Sequence, residues 1–333
     1  MISIYQQNMK ISTPVLFMVF NRPEKTQRVF DVIRSARPTK LYVAMDSPRE
    51  QNSADIINCK KVKEIVRSVD WDCDVKYLFH QKNLGCSLAG KAAWDWFFSQ
   101  EEEMIFLEDD GLVSISFFWF CQELLSRYRN DPRIAYIGGV NYGPKYGKES
   151  YFFTSLSVAT YAMATWKRVY DLYEYRMESY PNYRTTHRFK KNFVSRFEYY
   201  YFRNKFDEYV ARGGNTYDIQ MNYLVRKYGL YCIVPNTNLT SNIGFDDEGT
   251  NTNMDPRSEL ALRFGNRPRF EMDEIRHPDS VRVDETFDRE YFRERVLYGK
   301  SVMIYFLELY FKECFRPLYR STVKPLLKHL RRK

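Results

Sequence analysis

Glu108, Asp109 and Asp110 follow directly on the apolar run Met104-Ile-Phe-Leu107. Adjacent carboxylates at the edge of a low-dielectric core repel one another, and a divalent cation relieves that repulsion. Magnesium and manganese prefer oxygen ligands and commonly take one or two carboxylates together with substrate phosphates. The chemistry suited to such a triplet is a metal bridge between protein and a diphosphate, which neutralises charge on a nucleoside diphosphate leaving group. Three acids ahead of a helix are also an ordinary solvated loop, and the bare motif does not separate the two. A further carboxylate stands far along the chain, at Asp218 in Asn215-Thr-Tyr-Asp-Ile-Gln220. Just before a helical pattern, Asp is a good cap. The same group can serve as a general base toward a hydroxyl.

The elements that must position these residues are legible as an alternation. Pro14–Phe20, Leu41–Met45, Val75–Phe79, Met104–Leu107 and Ile134–Ile137 read as buried strands, and amphipathic helical patterns lie between them. Alternating strands and helices predict an α/β fold with a mostly parallel sheet and helices on both faces. Ligands in such sheets bind beyond the carboxyl ends of the strands. That rule singles out Asn21, Arg22, Asp46, the Gln81–Cys86 loop with Asn83 and Gly85, and the acidic triplet. Alone, Asp46 reads as a turn residue, Gly85 as a loop glycine and Arg22 as a surface cation. After about Gly147 the pattern changes. A strand at Tyr151–Phe153, a helix containing Trp166 and Tyr170, a basic aromatic helix over His187–Arg212, a short helix from Asp218 and a strand at Leu230–Val234 are expected. Pro235–Asn253, rich in Asn, Thr, Asp and Gly, reads as a functional loop. The division expected is 1–147 for a nucleotide-binding half, 148–258 for an acceptor-side half of the same domain, and 259–333 for a helical extension.

Five segments occur in order: Val19-Phe-Asn-Arg-Pro-Glu-Lys-Thr26, Val43-Ala-Met-Asp-Ser-Pro-Arg49, Val69-Asp-Trp-Asp-Cys73, Asn83-Leu-Gly-Cys86 and Phe106-Leu-Glu-Asp-Asp110. Together they resemble a bacterial group of GT-A-fold nucleotide-diphospho-sugar transferases, family-2-like or hemolytic-protein-like, itself distantly similar to N-acetylglucosaminyltransferase I. The resemblance spans roughly residues 14–255. It implies a Rossmann-like GT-A sheet, a manganese or magnesium ion and a nucleotide-sugar donor, with UDP the expected nucleotide. It implies Asp110 as the metal ligand, Asp109 near the ribose or the metal's waters, and Glu108 near the donor sugar. Asp46 would touch the base, Asn21 and Arg22 would line the nucleotide pocket, and Asn83 and Gly85 would pass close to the donor. Asp218 would be the catalytic base of an inverting transfer, beside Tyr217 where the group carries Trp. Tyr161-Ala-Met-Ala-Thr-Trp-Lys-Arg168 is similar to a Gly-Trp-Ala-Thr-Trp segment, which would make Trp166, like Tyr217, an acceptor-stacking ring; at helical spacing Trp166 is also an ordinary core residue. Leu239–Phe245 matches a loop of the group, whereas Asn251 stands where a His-Thr pair is usual.

The 333 residues, 44% hydrophobic, suffice for a sizeable core. The histidines at 80, 187, 277 and 329 are scattered and the six cysteines form no CxxC pair, so a zinc site is not expected and a reducing, cytoplasmic setting is. The net charge of +9 owes part to cations at every fourth position from Lys312 to Arg332, interleaved with Phe, Leu and Tyr. Such a tail can lie on an anionic membrane surface, which would suit peripheral attachment and a glycan or lipid-linked acceptor; it is equally a helix packed on the domain with a frayed end. The rival readings are a sugar-nucleotide nucleotidyltransferase, which would want a Gly-rich basic loop after the first strand, and a basic membrane- or nucleic-acid-binding module. The module leaves the acidic triplet unexplained, and no nucleic-acid partner is expected.

Overall fold

The structure is a computed structural model and describes residues 10–143, 147–214, 216–246 and 259–296, together with 303, 304, 306 and 307. Strands β1 (Val15–Val19), β2 (Lys40–Met45), β3 (Asp74–Phe79) and β4 (Glu103–Glu108) alternate with helices α1 (Pro23–Ala36), α2 (Ser53–Arg67) and α3 (Cys86–Phe98). There follow β5 (Gly111–Val113), α4 (Ser116–Tyr128), β6 (Ile134–Gly138), β7 (Tyr151–Thr154) and β8 (Ala162–Trp166). The later elements that matter here are α5 (Arg196–Arg212), α6 (Asp218–Tyr228), β9 (Tyr231–Pro235), β10 (Thr240–Asn242) and α7 (Glu285–Tyr291).

Eight strands form one sheet in the order β3-β2-β1-β4-β8-β6-β9-β7. β3, β2, β1 and β4 are mutually parallel, β8 runs against both β4 and β6, β6 and β9 are parallel, and β7 is antiparallel to β9. The fold is thus the expected Rossmann-like, mainly parallel α/β arrangement. Strands covered on both faces read as unbroken apolar runs, as Val15-Leu-Phe-Met-Val19 does at the sheet centre. The sheet takes β1 to β4 from the first half of the chain and β7 to β9 from the second, so both halves share one core.

Two local expectations need correction. The segment around Trp166 is not helical: Ala162–Trp166 is a fully buried strand between β4 and β6, and helix begins only at Lys167–Tyr170. A short apolar run fits a buried strand and a buried helix equally by periodicity. The basic stretch is two helices, His187–Lys191 and α5, separated where the Ser195 hydroxyl accepts the Glu198 amide at 3.1 Å and starts α5 afresh. The described part of the extension holds helices at Glu259–Phe264 and α7 and a π-helical turn at Phe292–Val296. Between a short helix at Glu259–Phe264 and α7, residues 265–284 lie along the domain as an irregular strap, consistent with Pro268 and Pro278 in its sequence. The Asn266 amide donates to the Asn242 carbonyl at 2.8 Å, and the Glu271 carboxylate accepts the Ile115 and Ser116 amides at 3.1 and 2.8 Å. The strap thereby caps α4 with an acid.

α5 and α6 are tied by a buried ion pair. Arg226 and Glu198, each with its side chain 2% exposed, meet in the second of two large core clusters. Arg226 also donates to the Asn192 carbonyl at 2.9 Å and to the Ser155 hydroxyl at 3.2 Å. Removing one member of such a pair leaves an uncompensated buried charge. Arg226→Ala is therefore expected to cost about 3–5 kcal/mol of folding stability, read by denaturant unfolding; a loss below about 1 kcal/mol would show that water reaches Glu198.

Candidate active site

The acidic triplet stands where the main sheet hands over to a second, two-stranded one. Glu108 ends β4, and its amide donates to the Tyr161 carbonyl at 2.9 Å. Directly after the triplet, Gly111–Val113 pairs antiparallel with Thr240–Asn242, and the Ile243 amide donates to the Asp110 carbonyl at 2.9 Å. The expected structureless loop after Pro235 thus contains a strand, β10, whose pairing fixes the acid backbone from the far side. Lys25 of α1 reaches over to Asp246 at 2.7 Å and holds the end of this segment. Thr250 and Asn251 lie outside the described residues.

Gly244 packs directly on the triplet. A Cβ built at 244 would overlap the Asp110 carboxylate. Gly244→Ala must therefore displace either the carboxylate or the 239–246 segment. We expect it to lower the melting temperature, measured by thermal unfolding; an unchanged transition would show that the carboxylate or the segment moves at no cost.

A cleft of about 720 Å³ opens over the carboxyl ends of the strands, lined by Arg22, Asp46, Asn83, Gly85, Glu108, Asp109, Asp110, Tyr217 and Asp218. Nine of the eleven expected site residues therefore come together. Arg22 sits on the acids, with Nη1 2.8 Å from Asp110 Oδ2 and 3.5 Å from Asp109 Oδ1. Burial works against its charge, but Asp109, Asp110 and Glu108 outweigh it and hold the guanidinium firmly protonated. Burial pushes the Asp109 carboxyl up to about 6, against the opposing pull of Arg22. Glu108 is raised well above the usual carboxylate range, first by burial and then by Asp110, Asp218 and Asp109. One guanidinium thus leaves the acids under-compensated.

Asp109 Oδ2 and Asp110 Oδ1 are buried without a hydrogen-bond partner, although each carboxylate's other oxygen faces Arg22. Two buried carboxylate oxygens without partners, on consecutive residues, fit a hard divalent cation. Among the described residues no three His, Cys, Asp or Glu side chains form a metal cage.

Across the cleft, Asp218 is the first helical residue of α6; Tyr217 is the N-cap and makes no side-chain cap bond. The Thr160 hydroxyl donates to Asp218 Oδ1, and the residue is exposed to the cleft. The Tyr217 hydroxyl donates to Glu108. Its ring is 6% exposed and packs on Trp94 at 5.7 Å, with Gly90 giving it room. Tyr217 therefore positions Glu108 and is not an open stacking face, which corrects the expected acceptor role.

Two further assignments change. Trp166 is 2% exposed, pairs in register with Glu103 at the far end of β4, and directs its indole N–H to the Leu125 carbonyl at 3.3 Å. It is core, at the strand ends away from the cleft. Asn21 does not line the cleft; its amide donates to Asp55 Oδ1 at 2.7 Å, beside the Arg49–Asp55 ion pair. Asp46 does line it, but its carboxylate accepts the amides of Ser47, Leu84 and Gly85 at 2.8–3.0 Å, while the Asn83 amide donates to the Ser47 carbonyl at 2.6 Å. Asp46 and Asn83 thus build the loop a ligand would meet, and Gly85, at φ +76°, makes the backbone turn that a side chain would disfavour. Sequence reasoning missed Phe20, Arg49 and His80 on this wall. Arg49 lies over the Phe20 ring at 5.8 Å, and His80 Nε2 is buried without a partner. Their place just after β1, β2 and β3 was the available signal.

No protein-family model and no curated protein matches the chain. Among solved structures it is similar to HddC from Yersinia pseudotuberculosis, at 10% identity and TM-score 0.30, covering 47% of this chain and 77% of that one. It is similar to S. aureus TarS 1–349 at 13% identity and TM-score 0.31, covering 49% of this chain and 50% of that one, about half its length. It is also similar to a UDP-glucose pyrophosphorylase complexed with UDP-glucose, at 9% identity and TM-score 0.32, covering 67% of this chain and 90% of that one. At these values the superpositions are loose, and the function has to be argued from the site.

Proposed function

We propose that the chain is a metal-dependent, inverting glycosyltransferase that takes a nucleotide sugar, with UDP the expected nucleotide. The observation that carries the reading is a carboxylate, Asp218, exposed in the same cleft as the under-compensated Glu108-Asp109-Asp110. Transfer to a hydroxyl needs a base for the acceptor proton; attack by a phosphate on a nucleotide does not. That difference favours sugar transfer over nucleotidyl transfer. Asp109 and Asp110 would hold a manganese or magnesium ion, which when bound neutralises the diphosphate leaving group. Glu108, fixed by Tyr217, would meet a donor sugar hydroxyl. Asp218, oriented by Thr160, would take the acceptor proton. Arg49, Phe20 and His80 would form the wall against the nucleoside, and Arg22 would remain beside the diphosphate.

The two enzyme readings break different bonds. A glycosyltransferase cleaves the bond between sugar C1 and phosphate oxygen and releases UDP; a nucleotidyltransferase cleaves between the phosphorus atoms. ³¹P NMR of UDP-sugars incubated with the protein, magnesium and inorganic pyrophosphate, the acceptor a nucleotidyltransferase needs to release sugar 1-phosphate and UTP, is expected to show UDP accumulating. Sugar 1-phosphate as the product would move the assignment to nucleotidyl transfer. The acceptor proposed is a glycan or lipid-linked saccharide of surface polysaccharide synthesis, made at the inner face of a membrane. No described helix is long and apolar enough to cross a membrane, and the basic residues from Lys312 lie outside the described residues.

A further inference from the structure

The cleft has two walls of separate origin. The donor wall grows from the main core at the ends of β1, β2 and β4. The opposite wall belongs to the second core cluster and is presented by α5, α7 and the segment around Tyr142. On that second wall stand Tyr142, Tyr201, Tyr291 and Lys205.

Lys205 differs from the other cations lining the cleft. Arg22 is paired with Asp109 and Asp110, and Arg49 with Asp55 at 2.6 Å. Lys205 has no carboxylate partner among the described residues; its contact is with the Tyr201 ring, one helical turn back, at 5.8 Å. The acids near it on α5 are engaged elsewhere: Glu198 by Arg226, Asp207 by Arg184, and Glu208 by Arg212. A partly buried lysine in a concave wall without a carboxylate counter-charge leaves its ammonium available to another anion. It is the arrangement for an anion that arrives with a ligand. The partly exposed Tyr201 ring beside it suits a saccharide, whose C–H face packs on aromatic surface.

Resting on the proposed function, we propose that the acceptor is an anionic saccharide whose phosphate or carboxylate is bound by Lys205, with the Tyr201 ring beside the sugar. Asp218 lines the same cleft as Lys205, so an acceptor anchored at Lys205 occupies the space this base faces.

The test uses the full chain saturated with UDP and manganese. Binding of three probes is compared by saturation-transfer NMR: methyl β-glucoside, methyl β-glucuronide and glucose 1-phosphate. At least one anionic probe is expected to bind about tenfold or more tighter than the neutral one, as a charge-assisted contact allows. Lys205→Ala should abolish the preference and Lys205→Arg retain part of it, with UDP affinity unchanged in both. Preference for the glucuronide alone identifies a carboxylate, and for the 1-phosphate alone a phosphate. No preference in the wild type, or a preference that survives Lys205→Ala, overturns the inference. A matching fall in UDP affinity overturns it too, because Lys205 then serves the donor. If the wild type binds no UDP, the functional proposal fails by itself, and the same probes without nucleotide still read Lys205.

Discussion

Asp218→Asn is expected to lower sugar transfer by about 10²–10⁴-fold, the range for losing a positioned general base, while leaving the donor dissociation constant unchanged. The substitution keeps size and lone pairs and removes only the ability to take a proton. Thr160 can still donate to the residue at 218, so its side chain stays in place. Asp218 lies at the start of α6 without being its N-cap, so helix stability should barely change. The kinetic signature is a fall in kcat with little change in donor KM, which marks an interaction made in the transition state. Transfer within tenfold of wild type would send the proton to another acceptor and remove the main argument against nucleotidyl transfer.

Asp110→Ala is expected to abolish the metal-promoted share of UDP binding, a weakening of about 10²-fold or more for truncating one member of a buried charge constellation. The apo protein should still fold. Arg22 keeps Asp109 as a partner, and one source of the repulsion that raises Glu108 is gone. Melting curves should therefore show similar apo transitions for both proteins and a UDP-plus-manganese shift in the wild type alone. An equal shift in the variant would place the ion elsewhere.

The first half of this fold was legible because its strands are mostly buried on both faces and its acids follow one of them immediately. The triplet, Arg22, Asp46 and the 83–85 loop were all found by asking what stands just past a strand. What side chains do there was harder to read. Asp46 binds backbone amides, Asn21 binds Asp55, and Tyr217 has its ring in the core, because each answers a partner distant in sequence. Trp166 was misplaced for a related reason. β8 runs antiparallel, so its last residue lies at the strand ends away from the cleft, and pairing direction leaves no local mark on Ala-Met-Ala-Thr-Trp. The strap of 265–284 and the hold of Ile243 on Asp110 are likewise long-range contacts without periodicity.

The most direct measurement is a calorimetric titration of UDP into the wild-type protein, once with manganese and once with EDTA. The account predicts saturable binding that depends on the metal and disappears in Asp110→Ala. Equal affinity in EDTA, or no binding in either condition, would contradict a cation bridging the carboxylates at 109 and 110 to a diphosphate.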